Sequence, residues 1–316
     1  MIKNVQLSSE ADLPLLHFLW QWKVSTTAAL CARFYSKRTL RQGYERLVKL
    51  EHGDLIQAHI VRNGSGFLWG LTKRGFDVIR PQLPSLRAEG YQSENKEHDL
   101  LVAAIHLGEW LADHPVDAEI FSEQELRCYD TSVYPWWIPQ TEMHRPDGYW
   151  HIPTGNDFTA IALEVELTQK RTADYDKTSV FYDRKCEISK VIWVTKRPSL
   201  AAHIHNRMND AAKNGDKHNF ISLVDFLKRG WQAEIHLGPD RTKTLSCLLS
   251  DCRRTPIVPV RGTPILDIRK SPHKSNISRL LTFVENRDWK DISSISAPTS
   301  HSSTSSTSSH FPQPHN

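Results

Sequence analysis

Two carboxylates, Glu164 and Glu166, interrupt the apolar run IALEVEL inside the stretch RPDGYWHIPTGNDFTAIALEVELTQK, which spans Arg145 to Lys170. A buried strand would carry Val or Ile there, because ionised carboxylates are costly to hold close together without a cation or hydrogen bonds. Either these acids bind something positive or they lie on a wet face of a sheet. The turn signal PTGND fixes more. A two-residue loop at Gly155-Asn156 sets Asp147 directly opposite Glu164 across a β-hairpin. Side chains alternate along a strand, so Glu166 shares the face of Glu164, and Val165 takes the other. Three carboxylates thereby converge on one face, the oxygen-rich arrangement that a hard divalent cation needs.

A chain of 316 residues is long enough for two domains. Its 40 Lys and Arg against 36 Asp and Glu leave a net charge of +4, too small to name a partner by itself. There is no run of apolar residues long enough to cross a bilayer, so no membrane partner is expected. The opening MIKNVQLSSEADL lacks the apolar core of a signal peptide, which places the protein in the cytoplasm as an expectation. Five scattered cysteines without a CxxC pair read as reduced structural thiols rather than as disulfides or a zinc site.

The positive charge is concentrated: between Lys23 and Arg80 stand eleven Lys/Arg against four Asp/Glu. Apolar spacing predicts a helix in LPLLHFLWQW and a second in STTAALCARFY, with Ser25 and Thr26 available as caps. A third is expected in SKRTLRQGYERLVKLEHGDL, capped by Ser36, burying Leu40, Tyr44, Leu47 and Leu50, and stopped at Gly53. Two strands around Asn63-Gly64-Ser65-Gly66 form a hairpin, and Thr72 opens a short closing helix. This order, with RLVKLEHGDLI followed by LWGLTKRG, resembles the winged helix-turn-helix of DNA-binding regulators. In that reading the third helix enters the major groove. Lys37, Arg38, Arg41 and Gln42 lie on its first turns, and Arg62 on the wing reaches phosphate or the minor groove.

The expected organisation is therefore a winged-helix DNA-binding domain over residues 1–80 and a linker over 81–96, PQLPSLRAEGYQSENK. An α+β or α/β domain around a mixed sheet follows over 97–250. Residues 251–292 form an irregular extension, and the Ser/Thr/His/Pro-rich tail of 293–316 has too little to bury and is expected to be disordered. Within the second domain a helix begins near His98, AEIFSEQELR is a strand entering an acidic turn, and TADYDKTSVFYDRKCEI is helical. VIWVT is a buried strand. Tyr175 and Tyr182 read as helical packing residues, and Trp136-Trp137, between prolines, as a core plug.

Pro146-Asp147 before a hairpin and Glu164 after it resemble the PD-(D/E)xK nuclease superfamily, with its restriction-endonuclease-like fold. The lysine usual two residues after the second acid is replaced here by Glu166, and Lys170 or Lys177 would supply the missing charge. The winged helix, the His98 helix, RPDG with LEVE, the Lys177–Tyr182 helix and VIWVT together resemble the replication-relaxation family, which includes MobC-type relaxases of mobilisable plasmids. That resemblance covers Leu13 to Lys228. It implies an endonuclease of the nickase or relaxase kind. The partners it implies are double-stranded DNA at a plasmid origin-like site and other mobilisation or replication proteins. In the implied chemistry Asp147 and Glu164 hold Mg²⁺ or Mn²⁺, and Glu166 ligates the ion or orients water. Lys170 or Lys177 neutralises charge on the phosphate, and Glu125 is a further candidate for the site. The competing expectation is a winged-helix transcription or replication regulator whose nuclease-like domain is inert.

Overall fold

A computed structural model describes residues 5–60, 67–108, 111, 118–140, 143–154, 157–211 and 215–251. The sequence expectations for Arg62, for residues 252–292 and for the tail from 293 lie outside the described residues.

The N-terminal elements run α1 (Asp12–Trp22), β1 (Val24–Thr26), α2 (Thr27–Phe34), α3 (Leu40–His52), β2 (Ile56–Ile60), β3 (Phe67–Leu71) and α4 (Lys73–Ile79). The three strands form an antiparallel sheet in the order β1-β3-β2. Hydroxyls set the helix starts: Thr26 and Thr72 each accept a backbone N–H two or three residues into α2 and α4. The third helix begins later than Ser36. Thr39 and Gln42 form a capping box, in which each side chain satisfies the other's backbone N–H, and this fixes Leu40 as the first helical residue. Lys37 and Arg38 accordingly sit in the turn before α3 rather than on it. Gly53 does end the helix, but the left-handed residue is Asp54, at φ 57°. Leu47 and Leu50 are buried as expected, whereas Leu40 and Tyr44 are exposed.

Residues 81–96 are held by contacts on both sides. Arg87 N–H donates to Cys128 O and Asp130 N–H to Ser85 O, and Tyr91 stacks on Phe76. Two tryptophans of α1 reach past this strap: Trp20 stacks on Tyr129 and Trp22 lies 5.0 Å from the His106 ring. One apolar cluster consequently runs from Leu15 and Leu50 through Val102 to Leu163 and Phe226.

Beyond the strap come α5 (Lys96–Leu107), β4 (Glu119–Ser122), α6 (Glu123–Cys128), β5 (Gly148–Thr154), β6 (Asp157–Glu166), α7 (Thr172–Arg184) and β7 (Ile188–Thr195). They are followed by α8 (Pro198–Ala211), β8 (His218–Ser222), α9 (Leu223–Arg229), β9 (Ile235–Leu237) and α10 (Leu245–Asp251). The six strands form one mixed sheet in sequence order. β4, β5 and β6 are an antiparallel meander, β6, β7 and β8 are parallel, and β9 is antiparallel. The core order is thus helix, three meandering strands, helix and parallel strand, which is compatible with a restriction-endonuclease-like domain. The acidic turn expected after β4 is instead α6, closed by a capping box between Ser122 and Glu125.

Alternation along β6 divides its two faces. Ile161, Leu163 and Val165 join the core that α5 and α9 complete. Ala162 packs with Tyr182 of α7 and Ile204 of α8 on the other side. Glu164 belongs to this second face, at the carboxyl end of a strand in a parallel run, where α/β sheets leave room for ligands.

Candidate functional site

The hairpin has the register expected from its turn. Gly148 pairs with Leu163 and Thr154 with Asp157, so Asp147 stands one step beyond β5, opposite Glu164. Its backbone N–H donates to Leu163 O, and its Oδ2 accepts from Val165 N–H at 2.6 Å. Gly148 makes this approach workable. It has φ 147°, and a Cβ there would fall 2.4 Å from His106 Nε2 and 3.0 Å from Phe121 O. His106 is fixed from its other side, because the Trp150 indole N–H donates to its Nδ1 at 2.9 Å. With Nδ1 accepting, Nε2 carries the proton and donates to Asp147 O at 3.2 Å. Burial holds this imidazole neutral, with a pKa lowered to about 4.

Each of the three acids has a cationic or hydrogen-bonding partner. Asp147 Oδ1 lies 3.5 Å from His98 Nε2 of α5. Glu164 Oε1 accepts from the Tyr182 hydroxyl of α7 and pairs with His144 Nε2, which precedes β5. Glu166 Oε2 lies 2.8 Å from Lys170 Nζ. Helices from both faces of the sheet therefore meet at its end, with Glu164 and Glu166 both buried and the Lys170 side chain 53% exposed.

The electrostatics show that these groups sense one another. Burial disfavours charge on Asp147, yet the hydrogen bond and positive field of His98 and the Val165 N–H hold its carboxyl below the usual range. Burial raises Glu166; Lys170 opposes the rise, and repulsion from Glu164 and Asp147 adds to it. Lys170 is desolvated but is raised to about 12 by Glu166, with help from Glu164 and Asp147. His98 likewise overcomes burial through its bonds to Asp147 and Asp99 and is raised to about 10. The site is thus an array of carboxylates and cations held in low-dielectric surroundings.

Asp147, Glu164 and Glu166 are hard oxygen donors, the class that Mg²⁺ or Mn²⁺ takes, but no oxygen of each lies within 4.8 Å of the other two. Among the described residues, one set of three ligand groups lies within 4.8 Å of one another: His98, Asp99 and Glu123. That set already contains a protein cation, since Lys23 Nζ lies 3.2 Å from Asp99 and 3.3 Å from Glu123.

The other residues singled out from sequence are placed as follows. Lys177 is exposed on α7, and its field acts on Asp174; Lys170 is the lysine beside the acids. Glu125 is committed elsewhere, to capping α6 and to the Gln21 amide of α1. Arg41 pairs with Glu45 on the solvent side of α3, the Gln42 side chain is occupied in the capping box, and the Arg38 guanidinium lies over the Tyr35 ring. His98, His144 and Tyr182 carry no local signal that marks them as site residues. They arrive from 49, 3 and 35 positions away from Asp147, and only the folded chain joins them.

No family model matches the chain, and no curated protein matches it. Among solved structures, restriction endonuclease FokI aligns over 73% of this chain with a TM-score of 0.26 and 8% sequence identity. The match covers 47% of that protein, so the chain spans about half of its length.

Proposed function

We propose that the protein is a metal-dependent DNA endonuclease of the nickase type. In this reading residues 1–80 are a winged helix that binds double-stranded DNA, and the mixed-sheet domain cuts it. The observation that supports the reading is the register that sets Asp147 opposite Glu164 at one end of the sheet, with Lys170 2.8 Å from Glu166. Element order supports the DNA-binding half: three helices and a hairpin, with the sheet order β1-β3-β2. A role in plasmid mobilisation or replication is the biological setting that the family resemblance suggests.

A Mg²⁺ or Mn²⁺ ion bound there would supply polarisation of a phosphodiester and a lowered pKa of water. Asp147 and Glu164 would hold it, and each is oriented by a second group. His98 and the Val165 N–H aim Asp147, while Tyr182 and His144 aim Glu164. Glu166, raised by burial, is suited to accept a proton from attacking water, and the half-exposed Lys170 steadies negative charge on the phosphate.

The second reading, a DNA-binding regulator with an inert nuclease-like domain, is favoured by one observation: every acid of the set already has a partner within the protein. Nicking of supercoiled plasmid in Mg²⁺ or Mn²⁺ separates the two. The endonuclease reading expects nicking by wild type and none by Asp147→Ala or Glu164→Ala. Absence of nicking, together with no heat on titrating Mn²⁺ into wild type, would leave the regulator.

A further inference from the structure

The segment before α1 is tied to α3 through one buried carboxylate. Arg46 of α3 donates to Gln6 O at 2.7 Å and to both oxygens of Asp12. Asp12 also accepts the Tyr35 hydroxyl and the Ser8 N–H, each at 2.7 Å, and is 1% exposed. Around this tie the segment of residues 5–8 and the helix stand apart, and a cleft of about 930 Å³ opens between them. Its α3 wall is Gln42, Glu45, Arg46 and Lys49, joined by Arg38 ahead of the helix and Tyr35 at the end of α2. That volume falls in the range of small-molecule sites.

The charges on these walls do not cancel. Asp12 is neutralised by Arg46, and Glu45 by Arg41, which lies 3.0 Å away and is not among the groups that line the cleft. Arg38 and Lys49 remain. Among the described residues neither has a carboxylate partner, and the Arg38 guanidinium rests on the Tyr35 ring at 5.5 Å, which leaves its donors unused. The two cations stand at opposite ends of the wall: Arg38 precedes Leu40, the first residue of α3, and Lys49 lies in its last turn. At the rise of a helix, Leu40 and Lys49 are ~14 Å apart. Between them Gln42, whose Oε1 serves the capping box, keeps its NH₂ group for a polar body. A duplex meets α3 from outside, along Arg41. The major groove is about as wide as one helix, so it has no room for the segment that forms the other wall.

We propose that the cleft between residues 5–12 and α3 binds a small molecule of nucleotide size that carries two phosphate groups, one received by Arg38 and the other by Lys49. A phosphate monoester brings nearly two negative charges and three acceptor oxygens, which suit a guanidinium fork and an ammonium alike. The tie of Asp12, Arg46 and Tyr35 holds the second wall in place, so the site exists before the ligand arrives. It lies outside the mixed-sheet domain and is independent of the nicking reading. It touches the DNA-binding reading at one residue, Arg38, so ligand and duplex draw on the same cation and weaken each other reciprocally.

The test is isothermal titration of the full chain, in EDTA, with adenosine 3′,5′-bisphosphate, adenosine 5′-monophosphate and adenosine. The bisphosphate should bind at one site, the monophosphate about tenfold or more weakly, and adenosine not at all, because each phosphate lost removes a charge-assisted contact. Lys49→Met keeps the stem and removes the charge. It should cost about tenfold for the bisphosphate with the melting temperature unchanged, and Lys49→Arg should restore binding. Lys177→Met, on α7 and outside the cleft, should bind as wild type. No heat from the bisphosphate, equal affinity for all three compounds, or wild-type affinity in Lys49→Met would overturn the proposal. So would equal losses in Lys49→Met and Lys177→Met, which mark unspecific attraction to charge. Duplex titrated alone tests the DNA-binding reading separately: duplex binding without bisphosphate binding sinks the cleft site only, and the converse sinks that reading only.

Discussion

The ammonium of Lys23 lies 3.2 Å from Asp99 Oδ1 and is buried, so a cation from the junction of α1 and β1 is planted in acids of α5 and α6. Lys23 adopts φ 61° to do so, a backbone conformation unusual for a side-chain-bearing residue. The field of Glu123 and Asp99 overcomes desolvation and keeps the ammonium charged. His98, next to Asp99 in sequence, reaches Asp147. A short chain of charges therefore links the N-terminal unit to the end of the hairpin.

Lys23→Met should be strongly destabilising, because it leaves the buried Asp99 and the half-buried Glu123 without the Lys23 cation. Breaking one partner of such a pair costs about 3–5 kcal/mol. Urea unfolding measures it. The double variant with Asp99→Leu should recover part of the loss, and losses of the two single variants that simply add in the double would mean that the pair contributes nothing.

Gly148→Ala should disturb the site more than its size suggests. The added Cβ meets the His106 ring and Phe121 O, and the φ of 147° is strained for Ala. Overpacking of this kind costs about 1–3 kcal/mol. Since His106 Nε2 also holds Asp147 O, nicking should drop at temperatures where the variant is still folded. An active, fully stable variant would contradict this geometry.

The two candidate lysines can be told apart by rate. Lys170→Met should lower nicking by ~10²–10³-fold if its charge stabilises the transition state. Lys177→Met, exposed on α7 and acting on Asp174, should leave the rate unchanged. Loss of rate in the second variant alone would reverse the assignment.

Stability should peak near neutral pH for reasons that differ on the two sides. His106 and His218 are buried and neutral, each accepting an indole N–H from Trp150 or Trp193. Desolvation lowers them to about 4 and about 3. Unfolding lets both bind protons, so stability present above about pH 6.5 falls as pH drops below that value. His98 acts oppositely. Raised to about 10, it contributes fully below about pH 6.5 and loses that contribution as pH climbs through 10. Urea midpoints against pH in EDTA should show both limbs, and His218→Asn, if folded, should shorten the acidic one.

The hairpin register was legible in the sequence because a two-residue turn and a period of two leave no freedom between Gly155 and Asp147. Helix starts were less legible. Ser36 and Thr39 are both good caps, and the choice fell to Thr39 because Gln42 stands three residues on to complete the box. That shift took Lys37 and Arg38 off α3. Leu40 and Tyr44 share the helical spacing of the buried Leu47 and Leu50 yet are exposed, so spacing alone overstated how far burial extends along α3. Glu125 looked free because a capping role depends on where the helix begins. His144 and Lys23 escaped notice, His98 stood out only as a helix start and Tyr182 only as a packing residue, because their roles depend on contacts and side-chain geometry that no local pattern encodes.

The strap of residues 81–96 bears on how such a protein can be taken apart. Its backbone is stitched to α6 through Cys128 and Asp130, while Trp20 of α1 donates its indole N–H to Glu89 O within it. A cut at either end would strip Trp20 and Trp22 of their covering rings and leave Lys23 without acids, or the acids without Lys23. The halves are not interchangeable parts. Exchanging the first 80 residues for another module would need the matching surface of α5 and α6 to travel with it.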